Sequence, residues 1–216
     1  MKVIFEYSRE KDIWCILNYG KGSLNSSQQT KTYQELVNLY GQNPENKTVS
    51  KFIDDYLLNN RLDVQKNTLQ HQTDWNNIAQ EYQRRAESIF SVILPKDVTA
   101  YLTTNNRSPY SIEENWFFVG MLGFSSRKTV MHELWHFYTW YKYGIVWEEK
   151  IGKQAYNDIK EALTELLNEE CKDLLPEGVI DNGYPQHREL RQKIGDIWRK
   201  EKNMDKLWDF LVDGRY

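Results

Sequence analysis

Apolar residues recur at helical spacing along most of this chain, and alternate in only a few short stretches. The cleanest stripe runs from Asp74 to Leu94, where Trp75, Ile78, Ala79, Tyr82, Ala86, Ile89, Phe90 and Ile93 share one face over five turns. Asp74 reads as its cap and Pro95 as its stop. Shorter helices are expected over Thr32–Tyr40 and Val49–Leu58, and a long aromatic one from Ser126 as N-cap to Gly144 as C-cap, followed by a connection from Ile145 to Gly152. A further stripe of Ala155, Ile159, Ala162, Leu163, Leu166 and Cys171 predicts a single helix from Lys153 to Leu175. Beyond Pro176 the chain turns through Glu177-Gly178 and Asp181-Asn182-Gly183. Pro185 then opens a helix with Leu190, Ile194, Ile197 and Trp198, and a last helix holds Met204, Leu207, Trp208, Leu211 and Val212.

Strand signals are fewer. Val3–Tyr7 and Ile13–Asn18, separated by a charged turn, read as a β-hairpin, and Val98–Thr103 and Trp116–Met121 read as strands around the turn-rich Asn105-Asn106-Arg107-Ser108-Pro109. Gly20–Thr30 is expected as a flexible loop, and Asn59–Gln72, rich in Asn and Gln, as a mobile connection. These elements define an α+β chain, mostly helical with a small N-terminal and central sheet. One domain over residues 1–216 is expected, with a possible subdivision into a sheet and metal-helix lobe (1–144) and a helical lobe (145–216).

Composition narrows the function classes. Of 216 residues, 40% are apolar and 14% aromatic, enough for a sizeable core. A formal charge of −3 gives a nucleic-acid role no electrostatic footprint. No apolar run approaches the length that crosses a bilayer, and Met1-Lys2-Val3-Ile4-Phe5-Glu6-Tyr7 turns polar too soon for a signal peptide. Cys15 and Cys171, far apart in apolar surroundings, read as buried free thiols. Together these features give the expectation of a cytoplasmic protein with neither nucleic-acid nor membrane partners.

The chemistry concentrates in Thr129-Val130-Met131-His132-Glu133-Leu134-Trp135-His136. Histidines four apart on a helix lie one turn above each other on one face, so both imidazoles reach one cation from a rigid backbone. This is the H-E-x-x-H arrangement, in which the histidines hold one zinc ion and the intervening glutamate is general base on a water whose pKa the metal lowers to near ~7. Val130, Leu134, Trp135 and Phe137 would bury the surrounding helix. Downstream, Glu161 and Glu165 stand one turn apart on the border of the Lys153–Leu175 stripe.

Here the chain resembles the gluzincin metallopeptidases, the thermolysin-like group, whose second helix carries an Asn-Glu-Ala-x-Ser-Asp type segment. The resemblance covers about thirty-five residues and departs from the pattern at Lys160 and Glu165. It implies a zincin-like fold, Glu161 as third zinc ligand with His132 and His136, Glu133 as catalytic base, and Glu165 as acceptor of the free imidazole N–H of His132. The metzincin pattern needs a glycine and a histidine where this chain has Thr139 and Lys142. The resemblance further implies that the strand before the metal helix, Trp116-Phe117-Phe118-Val119-Gly120, is an exposed edge pairing with an extended peptide, an ordinary interior strand being the alternative. It also implies a His or Tyr donor to the developing negative charge, for which His187, Tyr184 and Tyr156 are the candidates. The expected function is zinc-dependent peptide-bond hydrolysis on a peptide or protein substrate. The alternatives are an inactive zincin-like interaction protein and a zinc hydrolase of a non-peptide substrate.

Overall fold

A computed structural model of the chain describes residues 1–21, 28–122 and 126–213. The expected loop at Gly20–Thr30 falls largely outside the described residues. The chain forms two compact units, Met1–Asn76 with Lys96–Ser126, and Asn77–Pro95 with Arg127–Tyr216. The metal helix therefore belongs with the C-terminal helices, whereas the expected cut at residue 144 grouped it with the sheet.

The first unit holds the four-stranded sheet, in the order β1-β2-β4-β3: β1 (Val3–Glu6), β2 (Val98–Thr103), β3 (Tyr110–Ser111) and β4 (Trp116–Gly120). β1 alternates, with Val3 and Phe5 inward and Ile4 outward. It runs parallel to β2, with Val3 opposite Val98, and β2 runs parallel to β4, with Ala100 opposite Phe117. The expected hairpin partner of β1, Ile13–Asn18, is not a strand. Residues Arg9–Tyr19 instead form helix α1. The Ser8 hydroxyl caps its Lys11 N–H, Glu10 and Asp12 favour its first turn, and Asp12, Cys15 and Ile16 face inward at helical spacing. The run Ile13-Trp14-Cys15-Ile16-Leu17 fits either period; the capping serine before it is what decides.

Helices α2 (Lys31–Tyr40) and α3 (Asn46–Asn59) close on α1 through a core of Ile16, Tyr33, Leu36, Val49, Phe52 and Ile53. The expected mobile connection is also a helix, α4 (Val64–Asn76). Its polar residues have a use there. The Gln72 side chain accepts from the Phe5 N–H and donates to the Val3 carbonyl, both at 3.0 Å, so an amide stands where a neighbouring strand would pair with β1. At the other side, β3 covers the first half of β4 through Ser111 opposite Trp116 and Tyr110 opposite Phe117. β4 thus lies between β2 and β3, with Trp116, Phe117, Phe118 and Val119 all buried, and over Trp116–Phe118 the exposed-edge position expected of Trp116–Gly120 is taken by β3 and Pro109.

In the second unit the long stripe begins later than expected. Two turn residues, Asn77 and Ile78, separate α4 from α5 (Ala79–Phe90), which stops at Ser91 in the left-handed region (φ 53°). Tyr82, Ala86 and Phe90 are fully buried. The Tyr82 hydroxyl donates to the Met131 carbonyl at 2.8 Å, while Phe90 meets Trp135 edge-on at 5.0 Å and stacks on Tyr138 at 5.8 Å. These contacts fix one side of α6 (Ser126–Ile151), whose helix is interrupted at Gly144 (φ −2°, ψ −115°) and resumes, so the expected connection at Ile145–Gly152 is mostly helical. Tyr143 stacks on Trp208 of α10 (Met204–Val212) at 3.8 Å, and Trp140 meets Tyr156 of α7 (Lys153–Ala162) edge-on. The expected single helix to Leu175 is broken after α7 by Leu163 and Thr164, then continues as α8 (Glu165–Glu170) and a short 3-10 turn at Lys172–Leu174. A second 3-10 turn at Pro185–His187 leads into α9 (Arg188–Glu201).

Cys15 and Cys171 are buried free thiols, and burial first of all pushes both up to about 12. Among the described residues no helix is long and apolar enough to cross a membrane.

His71 on α4 is 6% exposed, stacks on Phe5 and has no hydrogen-bond partner at Nδ1. Burial holds its pKa below the ordinary histidine value. The unfolded chain therefore takes up the proton first, so this residue's contribution to stability is complete above pH ~6.5 and is lost as pH falls. Urea unfolding at about pH 7.5 and about pH 5.5 is expected to show His71→Leu losing less stability over that interval than wild type, by up to about 1.4 kcal/mol. Equal losses would mean that His71 does not titrate apart from its unfolded value.

Candidate metal centre

Helix α6 presents its polar site from an apolar setting: Val130, Met131, Leu134, Trp135, Phe137 and Tyr138 are all within 1% of full burial. On this frame the His132 and His136 rings stand at 82° with centroids 4.6 Å apart, and their Nε2 atoms are 3.0 Å apart. Glu161, in the last turn of α7, brings Oε2 to 3.4 Å from His136 Nε2 and 3.6 Å from His132 Nε2. Two imidazoles and a carboxylate from separate helices thus converge, and these three residues could hold a metal ion.

The fit can be tested on this geometry. Four ligands at 2.0–2.1 Å in a tetrahedron around zinc stand about 3.3 Å apart. The three ligand atoms stand 3.0, 3.4 and 3.6 Å apart. Glu161 Oε2 is buried and makes no hydrogen bond, so a carboxylate oxygen points at the gap between two ring nitrogens without a donor to satisfy it. Its Oε1 is 3.3 Å from the buried Lys160 ammonium. Both His132 and Glu161 side chains keep some exposure, 18% and 12%, so the centre has an open side.

The imidazole of His132 is oriented from behind. Asp181 Oδ2 lies 2.7 Å from its Nδ1, which leaves Nε2 facing the gap. Asp181 is itself held at every polar atom. Its backbone N–H donates to Asn168 Oδ1, its carbonyl accepts from Asn168 Nδ2 (both 2.8 Å), and Oδ1 is 2.9 Å from the Thr164 hydroxyl. The expected partner, Glu165, does not reach the histidine: its Oε2 pairs with Arg191 at 2.9 Å. The break after Ala162 explains this. Hydrogen bonds tighten to the i to i+3 pattern at Leu163–Leu166 and Thr164–Leu167, so Glu165 is rotated off the face that Glu161 occupies.

Glu133 lies between the histidines and is 6% exposed. Burial raises it to about 8, with a charged His132 opposing and Glu161 adding to the rise. Burial works against a charged His132, yet the Asp181 and Glu161 carboxylates outweigh it and lift it to about 10. His136 is lowered to about 4, chiefly by burial. Against burial, the neighbouring imidazoles hold Glu161 far below the usual carboxylate range, and His132 does the same for Asp181. These are the values of a centre whose cation is a proton. A divalent cation held by these residues would take the place of that proton and favour the ionised form of Glu133.

The other expected residues fall elsewhere. His187 is buried, with Nε2 3.0 Å from Asp158 Oδ1 on α7, one turn before Glu161. Tyr184, half exposed, meets the His187 ring edge-on and lines a cleft of about 580 Å³. Asp181, Asn168, Glu165 and Arg191 line that cleft's wall, whereas His132, Glu133, His136 and Glu161 are not part of it. Tyr156 is 1% exposed among Trp140 and Trp208. Asp181, Asn168 and Arg191 were missed, because the sequence marks Asp181-Asn182-Gly183 only as a turn. Comparison with protein-family models, curated proteins and solved structures finds no match for the chain.

Titration of the purified protein with buffered zinc is expected to give one site. Glu161→Ala should abolish tight binding, and Asp181→Asn should weaken it roughly 10–100-fold. Glu165→Gln should weaken it less, since that carboxylate does not touch the histidine; the reverse ranking would return the orienting role to Glu165.

Proposed function

We propose that this chain is a zinc-dependent metallopeptidase of the zincin class, with a peptide or protein as substrate. The observation that carries this reading is the convergence of His132 Nε2, His136 Nε2 and Glu161 Oε2 beside Glu133. The resemblance of the two helical segments to the gluzincin pattern supports it. His132, His136 and Glu161 would hold the metal, which when bound supplies a Lewis acid that lowers the pKa of water to near ~7.

The remaining roles belong to the chain. Asp181 keeps the His132 proton on Nδ1, so that the lone pair of Nε2 faces the gap. Glu133 accepts the proton of the attacking water and hands it to the leaving amine nitrogen as the peptide bond breaks. Its burial keeps solvent from competing for that proton. Lys160 engages one oxygen of Glu161, which leaves the other for the metal.

Zinc-loaded wild type is expected to cleave an unfolded protein such as casein, and to stop when a chelator removes the metal. Glu133→Gln should keep its zinc while turnover falls roughly 10²–10⁴-fold. A wild type that holds zinc and leaves casein intact would sink the peptidase reading in favour of a zincin-like interaction protein or a hydrolase of another substrate.

A further inference from the structure

One guanidinium joins the turn that carries Glu161 to the loop that carries Asp181. Arg191, on the first turns of α9, is 4% exposed. Its Nη1 donates to the Thr164 hydroxyl at 2.5 Å and lies 3.5 Å from the Glu161 backbone carbonyl. Its Nη2 donates to the Asp181 carbonyl at 2.5 Å, and stands 3.1 Å from Asp181 Oδ1 and 2.9 Å from Glu165 Oε2. The Thr164 hydroxyl repeats the link on a smaller scale, 2.8 Å from the Glu161 carbonyl and 2.9 Å from Asp181 Oδ1. Since the guanidinium donates to that hydroxyl oxygen, the hydroxyl proton is free to go to one of these two acceptors.

The loop is shaped around this side chain. Gly183 sits at φ +58°, and a Cβ there would come within 2.6 Å of Arg191 Nη1 and 2.8 Å of Cζ. A glycine is therefore required twice over, by the backbone conformation and by the close passage of the guanidinium. A lysine could not replace this arginine. The contacts run from two nitrogens of one planar fork to acceptors on three segments, whereas an ammonium is a single point charge.

We propose that Arg191 is a positioning residue of the metal centre. Through Asp181 and Thr164 it sets the His132 ring of α6 and the Glu161 turn of α7 at the mutual spacing that one cation needs. This rests on the metal reading proposed above and goes beyond it: two ligands from two helices are registered by one residue of a third, which touches neither metal nor substrate. Arg191 also offsets one of the two negative charges of Asp181 and Glu165, two carboxylates that would otherwise repel each other more strongly beside the ligand set.

Cobalt(II) and zinc(II), each added alone to the full chain, test this. In wild type, cobalt should give the intense visible bands of a four-coordinate site. Arg191→Lys should bind zinc roughly 10–100-fold more weakly, with weakened or shifted cobalt bands. Arg191→Met combined with Asp181→Asn should cost less than the two single changes added together, because both act through one link. Gly183→Ala serves if the arginine variants do not fold: its new Cβ displaces the guanidinium without removing the charge, and should also weaken zinc binding. Variants that lose only thermal stability, while keeping wild-type zinc affinity and cobalt spectrum, would overturn the positioning role and leave the metal centre standing. A wild type that binds neither ion would overturn both.

Discussion

A carboxylate oxygen buried against two imidazole nitrogens is a costly arrangement unless a cation sits among them. Glu161 Oε2 has no hydrogen-bond donor, and the two Nε2 atoms that face it can share at most a proton. Much of the second unit can be read as the means of keeping these three atoms where they are. Phe90 and Tyr82 brace α6 from one side, Tyr143 on Trp208 ties its far end, and the Asp181, Thr164 and Arg191 network fixes the ring and the turn that face each other. Each of these contacts removes a freedom that would let the ligand atoms drift apart and find solvent instead.

What could be read from sequence follows from what covalent geometry fixes. The spacing of His132 and His136 within one helical stretch before Gly144 determines their relation before any packing is known, so that pair was legible. Glu161 was legible only through the resemblance of its surrounding segment, since its approach to α6 is a tertiary fact. Glu165 shows where the same reasoning fails: its role assumed that the helix ran on past Ala162, and two turn residues cancelled the i to i+4 relation. Asp181 left no periodic trace at all. It comes from a loop, its partners lie 10, 13, 17 and 49 residues away in sequence, and its segment carries only turn chemistry.

The sheet shows the same division. β2 and β4 are short apolar runs bounded by turns and were placed nearly to the residue. The second half of the expected hairpin failed because an apolar run of five residues satisfies both periods, and pairing with β2 leaves β1 no need of a local partner. The Asn and Gln content of α4 looked like a linker because composition does not say what an amide is for. In the structure Gln72 supplies both a donor and an acceptor to β1, a task for which an apolar side chain is useless.

Charge gives the last step. Around the converging atoms stand four carboxylates, Glu133, Glu161, Glu165 and Asp181, and two fixed cations, Lys160 and Arg191. With both histidines neutral and all carboxylates ionised, this set carries two negative charges in a largely buried volume. Without a metal, protons answer the imbalance: Glu133 rises to about 8 by burial and His132 is held charged by its carboxylates. A divalent cation held here would match the deficit and release those protons. Lys160 enters this balance through its contact with Glu161. Its ammonium takes one oxygen of Glu161 and trims the negative charge, so that the centre asks for two positive charges and not three.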